Sequence, residues 1–249
     1  MAAERFWEID SLRGIAIILM VISNFVTDIG FFGIYSISAY SGIWLYFARL
    51  VVSMFILLAG VSLTLSYSRV RNKKAKEIRK KYLLRGLKIF SWGLAITLVT
   101  WVFIRENFVL FGVLHLIGFS IIFGQFLLRS RYLNLFLGAF FILVGLYLQA
   151  MAFDFWWLAW LGFRPEGFYS VDYVPVFPWL GLFLAGMFFG SMIYPGGKRR
   201  FKIGDFSSSR LTAPLQFLGR NSLKIYLIHQ PVLILLLMLI SPFPYNLPF

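Results

Sequence analysis

His115 and His229 are the only histidines in this chain, and histidine alone among side chains has an unperturbed pKa that suits proton transfer near neutrality. There is no cysteine, which excludes thiolate nucleophiles, disulfides and thiolate metal sites. Two histidines far apart in the chain do not make a metal site, so no metal cofactor is expected. No phosphate-loop glycine pattern, dinucleotide fingerprint or zinc-protease motif is present. His115 sits in FGVLHLIGFS, with Gly112 and Gly118 at i−3 and i+3 to admit a neighbouring helix beside the imidazole. It is a candidate general base; the competing reading is a hydrogen bond between helices. His229 lies in LGRNSLKIYLIHQP, where Ser222, Tyr226 and His229 follow at i, i+4 and i+7 on one helical face. Ser222 and His229 are separated by about 10 Å of helix rise, too far for a nucleophile and its base. The face therefore reads as substrate-binding, with Arg220 and Asn221 at its mouth. Pro231 weakens the backbone bonding just beyond it.

A second constellation occupies residues 8–29, EIDSLRGIAIILMVISNFVTDI. At 100° per residue Asp10, Arg13, Ile17, Asn24 and Asp28 fall on one flank, opposite a face of Ile, Leu and Val. Arg13 and Asn24 share that flank about 16 Å apart along the axis. A helix this apolar would cross a bilayer, and charged or amide groups turned towards lipid there cost about 2–3 kcal/mol or more each. The stripe must face protein or water. Asp10, one turn from Arg13, can pair with it and offset part of the burial cost. The stripe reads as the lining of a path through a bundle, against the plainer alternative that it locks helices together, with Asp10 or Ser11 capping the first turn.

The elements that must hold these residues are membrane helices. Of the 249 residues 60% are hydrophobic, 20% aromatic and only 14% charged, where a soluble domain carries about 25%; the mean hydropathy is +0.80. The fold class is all-α: one polytopic transmembrane helix bundle over residues 1–249, with spans near 8–29, 43–67, 86–104, 108–128, 132–153, 178–194 and 221–240. Residues 154–173, with FWWLAWLGF at their centre, read as an interfacial or re-entrant stretch, with an eighth short helix as the alternative. SPFPYNLPF reads as a proline-broken tail. The first hydrophobic run lacks the organisation of a cleaved signal peptide and reads as a retained span.

The net charge of +14 comes from clusters between apolar runs, not from a nucleic-acid groove, and no nucleic-acid partner is expected. Alternating the seven spans puts nineteen Lys and Arg on one side and two, Arg105 and Arg164, on the other. The positive-inside rule then makes the N-terminus cytoplasmic. The basic loops suit anionic lipid, or a polyanionic cofactor whose phosphates they would meet.

Taken together, IDSLRGIAIILMVISN, FGVLHLIG, DYVPVFPWLGLFLAGMFFG and LGRNSLKIYLIHQPVLI resemble, in order and over nearly the whole chain, the catalytic-domain family of heparan-alpha-glucosaminide N-acetyltransferases and its prokaryotic relatives. That family lies within the wider group of multi-span acyltransferases that modify sugars across membranes. The resemblance implies that cytoplasmic acetyl-CoA, as co-substrate, gives its acetyl group to a glycan or glycolipid acceptor at or across the plasma membrane. In the wider group an Arg is followed eleven positions later by a His on the first span; here the positions are Arg13 and Asn24, as in the heparan-modifying branch. That branch relies on a histidine in the first outer loop, and residues 30–42 contain none. On this basis His115 is expected as the base and Asn24 as the oxyanion donor. Asp10, Arg13, Arg220, Asn221, Ser222, Tyr226 and His229 are expected to line the acetyl-CoA channel, and Arg105, Asp172 and Tyr173 the acceptor side. A homo-oligomer is compatible with the sequence. The alternative function is a transporter or flippase of a small polar or lipid-linked substrate that uses the same stripe without covalent chemistry.

Overall fold

A computed structural model describes residues 5–35 and 41–240. The proline-broken tail and part of the first outer segment lie outside them. The described chain forms eight α-helices: α1 Trp7–Phe31, α2 Gly42–Ser68, α3 Ala75–Phe103, α4 Val113–Gly124, α5 Arg131–Gln149, α6 Val176–Ile193, α7 Thr212–Arg220 and α8 Ser222–Ile240. No β-strand occurs among the described residues, so the fold is all-helical as expected. Six of these helices, all but α4 and α7, are long and apolar enough to cross a membrane. Their outer faces carry the side chains that lipid would solvate, such as Leu98 and Val102 on α3, Phe136 and Leu143 on α5, and Leu235 and Leu239 on α8, all exposed.

Where a fourth span is expected from Phe108, the helix starts only at Val113 and runs 12 residues, about 18 Å at 1.5 Å per residue. Long-range pairing explains the late start. The Val171 N–H donates to the Asn107 carbonyl at 3.1 Å and the Val174 N–H to the Phe111 carbonyl at 2.8 Å. Between them the Ser170 hydroxyl donates to the Phe108 carbonyl at 2.7 Å and accepts from the Leu110 N–H at 3.1 Å. Residues 107–111 thus take their backbone bonds from 170–174 and, at Val109, from Thr97 and Thr100 of α3, in place of a helix. The stretch from 150 to 175 contains a single short 3₁₀ turn, Ala159–Leu161, and exposes Trp156 and Trp157, as a segment at a membrane interface would.

The chain divides into two compact units, Met1–Phe55 with Ile203–Phe249, and Ile56–Lys202; the boundary falls inside α2. In the first unit α1 packs on α7 and α8, around Ile17, Met20 and Val51 with Ile225 and Tyr226 against them. The second unit packs α5 on α6, α3 on α4, and the later turns of α2 on α6. Gly60 and Gly186 make the last of these close: a methyl group on Gly60 would run into the Phe183 carbonyl, and one on Gly186 into that of Leu57. Small residues at such a crossing let the two backbones approach closely.

Candidate functional site

The polar flank of α1 faces inward. The large apolar residues that α1 exposes are Leu12, Ile18, Ile22 and Phe25, whereas Asp10, Arg13 and Asn24 are half-buried and Asp28 is buried. The periodicity therefore identified the face that other helices cover.

At its first turns, glycines on both helices bring α7 onto α1. A side chain on Gly14 would run into the Leu215 carbonyl, and one on Gly219 into the Asp10 carbonyl. That approach lets the Arg220 Nε donate to Asp10 Oδ2 at 3.2 Å. Arg220 Nη2 also donates to Gln216 Oε1 at 2.8 Å, and Gln216 Nε2 donates in turn to the Ser207 carbonyl at 2.9 Å. Asp10 and Arg220 are both expected channel residues, and the fold pairs them. The Asp10 side chain is 13% exposed and the Arg220 side chain 46%, which leaves guanidinium surface for an anion. Asn221 joins α7 to α8: its N–H and side-chain amide donate to carbonyls of α7's last turn, and its own carbonyl accepts from the Ile225 N–H. Ser222 is half-buried at the start of α8.

Further along α1, Asn24 Nδ2 donates to the Met20 carbonyl at 3.1 Å. One of its two amide hydrogens is thereby used, which holds the side chain in place, and the other meets no acceptor among the described residues. On α8 the His229 Nδ1 lies 2.6 Å from the Tyr226 carbonyl. A carbonyl only accepts, so Nδ1 carries a hydrogen, and in the neutral ring Nε2 keeps its lone pair. The Tyr226 ring packs on His229 at 5.5 Å and on Phe55 at 6.5 Å between centroids, which fixes the imidazole plane. α8 runs continuously through Pro231.

His115 belongs to the other unit and has the opposite tautomer. Its Nδ1 accepts from the Gly112 N–H at 3.1 Å. The proton therefore lies on Nε2, which is 3.3 Å from Thr97 Oγ1, and that hydroxyl gives its own hydrogen to the Val109 carbonyl at 2.7 Å. Phe90 meets the ring edge-on at 5.2 Å, Phe111 stacks on it at 5.3 Å, and Gly93 of α3 leaves room for it. Both nitrogens are engaged and the residue is 2% exposed. Of the two flanking glycines, Gly118 meets α3's backbone at Phe90 and Gly86.

The three expected acceptor-side residues have separate surroundings. Asp172 takes a left-handed φ of 51°, which Asp tolerates better than most residues, and accepts from the Val113 N–H at 3.3 Å, capping α4 beside His115's turn. Tyr173 donates to the Ala159 carbonyl at 2.6 Å, and burial raises its hydroxyl's pKa above the usual value despite the opposing pull of Arg164. Arg105 is exposed, with its guanidinium 5.8 Å from the Trp101 ring centre. Because the Asp172 contact is a cap, Asp172→Ala is expected to lower stability by about 1 kcal/mol. Asp172→Asn, which keeps an acceptor oxygen, should lose less; thermal melts of the two purified variants against wild type check this.

Two glutamines gave no signal in the sequence yet sit at the centre of the contacts: Gln216, which holds Arg220, and Gln230, which donates to Asp28 Oδ1 at 2.6 Å. Asp28 itself was visible on the stripe, four residues beyond Asn24.

No curated protein and no solved structure matches the chain. A family profile described as "Heparan-alpha-glucosaminide N-acetyltransferase, catalytic" matches residues 5–231, which includes both α1 and the His229 turn of α8. The chain belongs to that family.

Proposed function

We propose that this protein is an integral membrane acetyltransferase that moves the acetyl group of cytoplasmic acetyl-CoA to an amine or hydroxyl of a glycan or glycolipid acceptor, and that His229 is its base. The observation that carries the reading is the His229 tautomer: Nδ1 is committed to the Tyr226 carbonyl, so Nε2 is a fixed, unprotonated acceptor on a half-buried ring. His115 has no such lone pair to offer, and its role is to hold the start of α4.

In this scheme Nε2 takes the acceptor's proton as its nitrogen or oxygen attacks the thioester carbonyl. The second Nδ2 hydrogen of Asn24 steadies the oxyanion of the tetrahedral intermediate. The C–S bond then breaks, and the proton passes from His229 to the departing sulfur, giving free CoA thiol. Arg220, Arg13 and the basic loops meet the phosphates of acetyl-CoA at the cytoplasmic end, with Asn221, Ser222 and Tyr226 along its channel. Asp10 accepts from Arg220 Nε and so helps to fix the guanidinium. Arg105, Asp172 and Tyr173 are assigned to the acceptor by the family resemblance; within their own unit Asp172 caps α4 and Tyr173 ties its loop to Ala159. The plasma membrane is the proposed location, with the N-terminus inside: when short α4 is counted as a crossing beside the six long helices, nineteen of the loop cations fall on the N-terminal side.

The test incubates purified protein with acetyl-labelled acetyl-CoA and an α-glucosaminide. Label in the sugar together with equimolar free thiol is the expected result. Movement of unmodified sugar across a proteoliposome membrane, with no thiol released, would replace this reading with a transporter.

A further inference from the structure

Asp28 is 6% exposed, near the end of α1 away from Asp10. Its Oδ1 accepts from Gln230 Nε2 at 2.6 Å, while its Oδ2 is buried with no hydrogen-bond partner among the described residues. A carboxylate can accept about four hydrogen bonds, and one left this bare away from water is costly. Packing does not require it, since an apolar residue would fill the same space without the penalty. A buried acceptor with an unused oxygen is the arrangement expected of a group that meets its donor in a ligand.

Its place on α1 indicates which ligand. Asp10 and Asp28 are about 27 Å apart along the helix at 1.5 Å per residue, close to the thickness of a bilayer's hydrocarbon core. Both carboxylates are met by the C-terminal helices, Asp10 by Arg220 and Asp28 by Gln230. The first pair offers positive charge, as a phosphate-bearing donor needs. The second offers a bare carboxylate oxygen, which suits a hydrogen-bond donor and repels phosphate. Asn24 lies one turn before Asp28 on the same flank, and His229 directly precedes Gln230 in the chain.

We propose that Asp28 Oδ2 receives an N–H or O–H group of the sugar acceptor, and that Gln230 is the positioning residue that holds the carboxylate for it. This assignment rests on the acetyltransferase reading and adds the acceptor's anchor to it.

The experiment compares wild type, Asp28→Asn and Gln230→Leu in detergent, with methyl α-glucosaminide as the amine-bearing probe and methyl α-glucoside as its hydroxyl-only counterpart. Binding is read by the shift in melting temperature, and turnover by thiol release. Asp28→Asn is expected to weaken sugar binding and raise the acceptor KM about tenfold or more, the usual loss for a hydrogen bond to a charged group, while the KM for acetyl-CoA stays within about twofold. Gln230→Leu should raise the acceptor KM about threefold in the same selective way, a split that a merely structural defect would not produce. If Asp28→Asn fails to fold, the Gln230→Leu split decides. Unchanged acceptor affinity in the readable variant, or wild type that binds neither sugar, overturns the assignment. Transfer that proceeds with no effect of Asp28→Asn sinks this site and leaves the enzyme reading standing. Sugar binding that depends on Asp28 without any acetyl transfer does the reverse.

Discussion

His229→Ala is expected to reduce kcat for acetyl transfer by about 10²–10⁴-fold, the usual contribution of a positioned general base, with little change in the KM for acetyl-CoA. The expectation follows from which nitrogen carries the proton. A neutral imidazole has one N–H, and at His229 it is spent on the Tyr226 carbonyl at 2.6 Å. That carbonyl lies three residues earlier on the same helix and has two lone pairs, so it can serve the imidazole as well as the backbone. A protonated Nδ1 has no lone pair to act as the base, so that role falls to Nε2. His229→Gln is the sharper variant. Its amide can donate to the Tyr226 carbonyl and preserve the local packing, but it offers no basic nitrogen, so activity should be lost while the fold is kept. Steady-state thiol release by His229→Gln with a wild-type melting temperature would decide the matter: kcat within about fivefold of wild type would remove His229 from the chemistry.

Much of the architecture that frames His229 is legible in the chain. The spans near 8–29 and 43–67 are Trp7–Phe31 and Gly42–Ser68 because each is a predominantly apolar run long enough to cross a bilayer, and hydrophobic length in a membrane protein leaves the backbone few alternatives. The inward flank of α1 was likewise readable, since helical period alone gathers Asp10, Arg13, Asn24 and Asp28. What escaped depends on distant residues. The start of α4 was misplaced because residues 107–111 pair with 170–174, a contact that no local propensity encodes. α7 was hidden in a basic loop, since TAPLQFLGR contains Pro214 and Gly219 and is too short to show a clear period. Asp10 was matched in sequence with Arg13 one turn away, and its contact with Arg220 depends on two glycines that bring α7 down onto α1. Gln216 and Gln230 carry no charge and no motif, so their roles emerge only once their partners are placed.

His115→Ala is expected to act on stability, with a loss of about 3–5 kcal/mol typical of deleting a buried aromatic ring, to which an orphaned backbone N–H adds. The ring fills the space between Phe90, Phe111 and Gly93, and its two nitrogens tie three segments together: Gly112 before α4, Thr97 on α3 and, through Thr97, the Val109 carbonyl. Removing it leaves a cavity and frees the turn that starts α4. His115→Phe separates the two contributions, because it restores most of the volume while leaving the Gly112 N–H without its acceptor; about 1–3 kcal/mol should still be lost. Melting curves of both variants give the stability effect, and thiol release per folded molecule gives the catalytic one. The specific expectation is that folded His115→Phe keeps kcat within a few-fold of wild type. A folded, thermally normal His115→Phe with no acetyl transfer would return the base to α4 and leave His229 with substrate binding alone.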